Sequence, residues 1–134
     1  MTHIPEQVAC TETIERLAAY GLLLAHEGKV RQTYQLPGRV GLLFMLATDR
    51  LSIFDLVLPT LVPHKGAVLT GLTVFWLDRI LNDHQLIAKG SQIDQYLPTG
   101  LRGNSDLQSR GMIIRKLEII PIECVVRGYL TGSG

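Results

Sequence analysis

The sequence of 134 residues has little of several features that mark particular protein classes. Its two cysteines, Cys10 and Cys124, are too few for the disulfide framework of a small secreted domain. Charged residues make up 19% of the chain and the formal net charge is +1, so bulk charge predicts no non-specific binding of nucleic acid. Gly, Arg, Asp and Pro interrupt every apolar run, which argues against a membrane span. The first residues, MTHIPEQ, do not have the pattern of a signal peptide.

Apolar residues, in contrast, are abundant and make up 46% of the chain. This fraction and the length are typical of one globular domain with its own core. Because Cys124 lies in an apolar run, we expect a reduced, cytoplasmic protein with buried thiols. Residues 1–20 are expected to form a leader and a short helix, and residues 21–134 a single lobe.

Apolar patterning predicts an α+β fold in which one helix covers an antiparallel sheet. Continuous apolar residues such as 41–47 are typical of a strand buried on both faces. We expect the sheet to be built from the segments near 22–36, 40–48, 110–118 and 122–129. The helix, over 67–81, has apolar residues at helical spacing, so Trp76 is expected to be a core residue. Residues 90–109 are polar and predict a loop with one helical turn near 93–96.

The last stretch, LEIIPIECVVRGYLTGSG, combines apolar, charged and turn-forming residues. In a strand from Ile122, Glu123 and Arg127 would share one face about 13 Å apart, too far for a direct ion pair. They would therefore flank something between them. The final TGSG offers a hydroxyl and backbone N–H groups, which suit a small anion cradle. Taken alone, a solvated arginine and an ordinary turn are the simpler interpretation.

A second cationic stretch, GKVRQTY, covers residues 28–34. In a strand, Lys29, Arg31 and Thr33 would point to one side. Two neighbouring cations need an anion or solvent between them, and an exposed basic face is the simpler alternative.

The string PIECVVRGYLTGSG closely resembles the signature of the SAICAR synthetase (phosphoribosylaminoimidazole-succinocarboxamide synthase) family. GKVRQTY is similar to the stretch of that family that folds over the phosphates of ATP. TDRLSIFD, residues 48–55, resembles the TDRxSxFD motif, and Lys65-Gly66 resembles a Lys-Gly pair before a helix. Residues 115–118 resemble a hinge strand whose backbone meets adenine. Two positions depart from the family pattern: Gln32 stands where Asp is frequent, and Ile53 where a small Ala is usual.

The resemblance implies an ATP-dependent ligase of purine biosynthesis that joins aspartate to carboxyaminoimidazole ribotide through an acyl phosphate. It implies ATP and Mg²⁺ as cofactors, with nucleotide-binding residues Lys29, Arg31, Lys116 and Glu118. The implied substrate-binding residues are Ser52, Asp55, Lys65, Arg127 and Ser133. Asp55 and Arg127 would be catalytic: Asp55 would hold the ribotide or magnesium-bound groups, and Arg127 would grip the ribotide 5′-phosphate with Ser133.

Members of this family continue beyond the TGSG turn into a second lobe that carries metal-binding carboxylates in an Asp-x-Lys-x-Glu-x-Gly signature. That signature is absent from these 134 residues, so we expect Mg²⁺ ligands mainly outside this sequence. We therefore expect a fragment, a truncated gene product or a stand-alone remnant of the first lobe that does not turn over by itself. Two alternatives remain open, a nucleotide- or ribotide-binding module without catalysis and a structural partner protein that forms a homo-oligomer.

Overall fold

The structure is a computed structural model that describes residues 6–129, with side chains from Thr13 onward. Its strands are β1 (Leu23–Glu27), β2 (Arg31–Gln35), β3 (Leu42–Ala47), β4 (Arg50–Ile53), β5 (Leu56–Leu61), β6 (Leu86–Lys89) and β7 (Gly111–Arg115). Its helices are α1 (Glu6–Ala19), α2 (Lys65–Ile80) and α3 (Ser105–Arg110), with 3-10 helices at Gly90–Gln95 and Thr99–Leu101. Five strands form one antiparallel sheet in the order β1-β2-β3-β7-β6, and β4 and β5 form a separate hairpin. The predicted antiparallel α+β fold is confirmed.

Strand β3 lies at the centre of the large sheet because its continuous apolar run can be covered on both faces. Phe44 is opposite Tyr34 of β2 and Ile113 of β7, so these three side chains share a face. That face carries the core. It is covered by side chains from α1, both 3-10 helices and α3, namely Leu17, Ile93, Leu101 and Leu107. Apolar patterning predicted only one covering helix, so this second set of covering elements was not predicted.

Helix α2 contacts β3, β6 and β7, but it buries only Gly66 and Thr70. These small residues allow the helix to approach closely, and the Thr70 hydroxyl donates to the carbonyl oxygen of Arg110 at 3.0 Å. Several large apolar residues of the helix, including Leu72 and Phe75, are exposed, and Trp76 is 54% exposed. The prediction that Trp76 is a core residue was wrong, because helical spacing identifies a shared face but not whether that face is covered.

The predicted strand over 122–129 is also wrong. Pairing along β7 ends near Lys116, whose backbone N–H donates to the Gly41 carbonyl oxygen at 2.7 Å. Residues 117–129 are exposed and have no strand partner among residues 6–129. Cys124 lies in this segment and is exposed, which corrects the prediction of a buried thiol at that position.

The helices depart from the predicted pattern at two further places. Helix α1 begins at Glu6, so residues 6–10 are helical rather than a loose leader. Helix α3 was missed, although Asn104 caps it by accepting the Leu107 N–H at 3.1 Å. The predicted helical turn near 93–96 overlaps the 3-10 helix Gly90–Gln95 and is confirmed. Across residues 6–129, no helix combines the length and apolar character needed to cross a bilayer.

Candidate functional site

The turn between β1 and β2 holds one of the two predicted phosphate-binding cations, and the first residue of β2 is the other. The Gly28 N–H donates to the Arg31 carbonyl oxygen at 2.8 Å and closes the turn. Lys29 therefore lies in the turn rather than in the strand, while Arg31 begins β2 opposite Ala47 at the end of β3. Both cations thus lie at the same end of the large sheet.

The guanidinium of Arg31 is poorly satisfied by the chain. Its Nη2 donates to Thr73 Oγ1 of α2 at a long 3.5 Å, and that hydroxyl itself donates to the Leu69 carbonyl oxygen. Its Nε is buried and finds no hydrogen-bond partner within the described part of the chain. Since buried donors are nearly always paired, this unsatisfied N–H marks the Arg31 guanidinium as a candidate binding group.

The turn between β4 and β5 brings Asp55 to Lys29. Phe54 and Asp55 have φ values of 48° and 67°, the pair of left-handed conformations of a tight hairpin turn. Lys29 Nζ lies 2.5 Å from Asp55 Oδ1, and the two side chains are 55% and 86% exposed. The Lys29 hydrogen bond and charge lower the pKa of Asp55 below its ordinary value. Two residues predicted for different ligands therefore contact each other directly.

The start of α2 is fixed at the same end of the sheet by Asp49, a residue the sequence analysis did not single out. Its carboxylate accepts the N–H groups of Gly66 at 2.8 Å and His64 at 3.2 Å, which satisfies two donors of the helix N-terminus. A Cβ at Gly66 would lie 2.6 Å from the carbonyl oxygen of Ala47. The Lys65-Gly66 pair thus has a structural reason, since only glycine allows this approach. Lys65, half-buried, is the first residue of the helix.

Arg50, which the sequence analysis also passed over, lies behind the β1–β2 turn. It is only 9% exposed and bonds to Glu27, Gly28 and Thr48. Its neighbour Gln32, one of the two departures from the family pattern, is fully buried. No local sequence signal distinguishes a buried arginine from an exposed one, because its burial depends on partners far away in the chain.

The remaining predicted residues on β4 and β7 have different surroundings. Ser52 is half-buried on β4 opposite Val57, and Ile53 is exposed beside the hairpin turn. Lys116 lies at the other end of β3, where it lines a cavity of about 220 Å³ with residues of the β2–β3 connection. Glu118 follows it and is exposed.

The predicted pair for the ribotide 5′-phosphate lies only partly within the described residues. Arg127 is exposed in the segment without strand structure, and Ser133 lies outside the described residues. The prediction that Glu123 and Arg127 share one face of a strand is wrong, because no strand forms over the described residues 117–129.

The predicted ATP residues therefore fall into two groups. Lys29 and Arg31 lie where β2 begins opposite Ala47, whereas Lys116 lies beside Gly41. Six residues of extended β3 separate Gly41 from Ala47, or roughly 20 Å. One compact ligand cannot touch both groups, but an elongated ligand laid along the sheet can.

The described residues do not form a metal site. Among residues 13–129, no group of three or more His, Cys, Asp or Glu side chains could hold a metal ion. The Mg²⁺ implied by the resemblance therefore does not fit this part of the chain, and no reaction step is assigned to it here.

Together these features define an antiparallel α+β lobe with paired and unpaired cations at one end of its sheet. The sequence model of the SAICAR synthetase family matches residues 24–134. The chain belongs to this family. It is 46% identical over 123 residues to a phosphoribosylaminoimidazole-succinocarboxamide synthase from Streptomyces avermitilis, covering 92% of this chain and 38% of the relative.

A relative with the same description from Candida maltosa is 40% identical over 111 residues, covering 83% of this chain and 37% of the relative. Among solved structures, a SAICAR-synthase from Saccharomyces cerevisiae complexed with SAICAR is similar, with a TM-score of 0.74 and 37% identity. That alignment covers 84% of this chain and 39% of the yeast protein. The chain thus spans somewhat more than a third of the length of these relatives.

Proposed function

We propose that this chain supplies the ATP- and ribotide-binding lobe of a cytoplasmic SAICAR synthetase. Such an enzyme joins aspartate to carboxyaminoimidazole ribotide at the expense of ATP. Besides family membership, one observation carries the proposal: within the part of the chain that the structure describes, the buried Nε–H of Arg31 has no hydrogen-bond partner, and Arg31 follows the turn that holds Lys29. A guanidinium in this state favours a ligand with several oxygen acceptors, such as a polyphosphate.

The chemistry of the proposed reaction needs cations at the phosphates. The ribotide carboxylate attacks the γ-phosphorus of ATP, so a C–O–P bond forms and ADP leaves. The aspartate amine then attacks the acyl carbon, loses a proton and expels inorganic phosphate, which leaves an amide. Phosphoryl transfer of this kind depends mainly on positioning and charge neutralisation, the role we assign to Lys29 and Arg31.

The nucleotide would lie along the sheet. Its phosphates would contact Lys29 and Arg31, and its base would lie toward Lys116 and Glu118, where a cavity is present. The separation of roughly 20 Å between the two ends of β3 suits an extended molecule better than a compact one. Contact with backbone groups near Lys116 would leave the identity of the side chains less important.

The ribotide would lie on the side of the β4–β5 hairpin and α2. Ser52, Asp55 and Lys65 come from these elements, and Arg127 with Ser133 would add the 5′-phosphate contacts. In this proposal Asp55 first pairs with Lys29 and releases it when phosphate binds, since one ammonium is shared between two anions.

The two departures from the family pattern do not conflict with this proposal. The Gln32 amide donates to Glu27 Oε1 at 3.3 Å and accepts the Tyr34 hydroxyl at 2.8 Å. An Asp at this position would bring a second carboxylate toward Glu27, so the neutral amide suits this particular surrounding. Ile53 is 46% exposed, which leaves its bulk outside the described core.

The test is calorimetric titration of the 134-residue chain with ATP at low and high salt. Lys29→Gln and Arg31→Gln should each weaken binding, by more at low salt, because part of the attraction is screened charge. Lys89→Gln is the matched control, since Lys89 is also a partly exposed lysine paired with an aspartate, Asp78. Equal affinities for the parent and both site variants would refute the proposed phosphate contacts.

A second function, self-association, is favoured by a separate observation. Large apolar side chains on the outer face of α2 are exposed, namely Val68, Leu72, Phe75 and Trp76. A contiguous exposed apolar surface of this kind is typical of a contact with another protein. Sedimentation analysis decides the matter: a homodimer that Trp76→Lys dissociates supports it, and a parent chain that stays monomeric at every concentration tested excludes it.

A further inference from the structure

Arg50 makes three directed hydrogen bonds behind the turn that holds Lys29. Its Nη1 donates to Glu27 Oε1 at 3.1 Å, and its Nη2 donates to the Gly28 carbonyl oxygen at 3.1 Å. Its Nε donates to Thr48 Oγ1 at 3.2 Å. Only 9% of Arg50 is exposed, so its guanidinium is largely shielded from water, which strengthens its hydrogen bonds.

Thr48 holds the other side of the same turn. Its hydroxyl and its backbone N–H both lie 2.9 Å from the Val30 carbonyl oxygen, and both donate to it. The carbonyl groups immediately before and after Lys29 are therefore each bonded to a residue of the β3–β4 region. The connection from Arg50 to Lys29 runs through the backbone of Gly28.

We infer that Arg50 is a positioning residue that fixes the Gly28–Val30 turn and thereby holds the Lys29 ammonium at the phosphate-binding end of the sheet. The expected effect of Arg50 on ligand binding rests on the proposed function, whereas its effect on the position of Lys29 does not. The role extends the site to a buried residue behind the turn that holds Lys29.

The shape of the guanidinium makes it suited to this role. A planar fork can donate in three fixed directions at once, to a carboxylate, a carbonyl and a hydroxyl. A lysine at the same position carries the charge but presents one flexible nitrogen, so it cannot reproduce all three bonds. Glu27 supplies the counter-charge, and its carboxylate also accepts the Gln32 amide.

The ion pair between Lys29 and Asp55 provides a direct readout of the lysine position. Asp55 can be titrated by carboxyl NMR in the full 134-residue chain. Its pKa is held low by Lys29, so Lys29→Gln should return the pKa of Asp55 toward its ordinary value. If Arg50 holds the turn, Arg50→Gln should produce at least half of that shift, and Arg50→Lys a smaller one.

The control is Arg115→Gln. Arg115 lies at the far end of β7, where it bonds to the His84 carbonyl oxygen at 3.1 Å and to Asp83. This variant removes the same charge and should leave the titration of Asp55 unchanged. If Arg50→Gln does not fold, Glu27→Gln takes its place, because that side chain is 41% exposed and the change keeps its size. Glu27→Gln should shift the pKa of Asp55 in the same direction as Arg50→Gln.

An Asp55 titration that is unchanged in folded Arg50→Gln, or in Glu27→Gln when Arg50→Gln is unfolded, overturns the inference. So does an Asp55 titration that Lys29→Gln leaves unchanged, since Lys29 is then not held where the structure has it. These outcomes do not depend on any ligand.

Titration with inorganic tripolyphosphate then separates the inference from the proposed function. We expect Arg50→Gln to bind it at least about threefold more weakly than Arg115→Gln, the size expected for an exposed charge contact. If the parent binds no tripolyphosphate while Asp55 shifts as expected, the proposed function fails and the positioning of Lys29 stands. If the pKa of Asp55 shifts but Arg50→Gln and Arg115→Gln bind tripolyphosphate equally well, Arg50 does not act on the phosphate site and that part of the inference is wrong.

Discussion

Substitution of Gly66 by alanine should destabilise this protein, although the same change in an open helical position stabilises it. A Cβ at Gly66 would lie 2.6 Å from the Ala47 carbonyl oxygen and 3.1 Å from the Ala47 carbonyl carbon. Ordinary contacts begin at 3.4 Å, so the start of α2 must retreat from β3 by about 0.8 Å. That retreat also stretches the 2.8 Å bond from the Gly66 N–H to Asp49.

The expected magnitude combines two opposing effects. Overpacking against a fixed neighbour costs about 1–3 kcal/mol. Replacing glycine within a helix gains up to about 1 kcal/mol from the lower entropy of the unfolded chain. With a cost near the middle of the first range, about 2 kcal/mol, and a gain of up to about 1 kcal/mol, the net loss for Gly66→Ala is about 1–2 kcal/mol. This lowers the melting temperature by roughly 3–10 °C for a domain of this size.

Gly71→Ala is the matched control, since it makes the same chemical change one turn further along α2. A Cβ at Gly71 meets no atom within 4 Å. This variant should gain up to about 1 kcal/mol and melt a few degrees higher. Urea unfolding followed by circular dichroism measures both. If Gly66→Ala is as stable as Gly71→Ala, the close approach of α2 to β3 is not as described.

Three further predictions concern single side chains. Asp49→Ala should cost about 1–2 kcal/mol in urea unfolding, because two N–H groups at the start of α2 lose their acceptor; no loss would exclude this cap. Lys29 lowers the pKa of Asp55. The stabilising effect of the Lys29–Asp55 ion pair should therefore be complete above pH 3.8, and it should be lost as the pH falls through the lowered pKa of Asp55. The difference in the free energy of unfolding between the parent and Asp55→Asn should become smaller in that pH range. A difference that does not change with pH would show that the ion pair does not stabilise the protein. When this lobe is tested as part of a full-length enzyme, Arg127→Lys should raise the KM for the ribotide far more than the KM for ATP. Equal effects on the two KM values would argue against phosphate binding by Arg127.

Features with a local cause could be predicted from the sequence. The apolar run 42–47 became the central strand β3, and apolar residues at helical spacing correctly indicated α2. The pattern, however, could not tell which side of α2 is covered. Trp76 shares a face with other apolar residues and is nevertheless exposed, because small residues make the contact with the sheet.

Alternation of apolar and polar residues predicts the two faces of a strand, but it does not predict whether another strand pairs with it. Residues 122–129 alternate in sequence, but Pro121 precedes them and no strand pairs with them within residues 6–129.

For the candidate site, motif resemblance predicted Lys29, Arg31 and Asp55 as binding residues, but it did not predict that Lys29 and Asp55 contact each other. Lys29 and Asp55 are 26 positions apart, and their contact depends on two separate hairpin turns meeting at one end of the sheet. Arg50 and Asp49 were missed for the same reason, since their partners Glu27, His64 and Gly66 lie 15 or more positions away. Such pairs follow from tertiary structure rather than from local sequence pattern.

In the proposed function, Lys29 and Arg31 bind the phosphates of a nucleotide. Calorimetric titration with ATP and with adenosine, on the parent chain and on Lys29→Gln and Arg31→Gln, tests these contacts. We expect the parent to bind ATP more tightly than adenosine and each substitution to reduce this difference in affinity, whereas Lys89→Gln should leave the difference unchanged. A preference for ATP that survives both substitutions would show that Lys29 and Arg31 do not bind the phosphates.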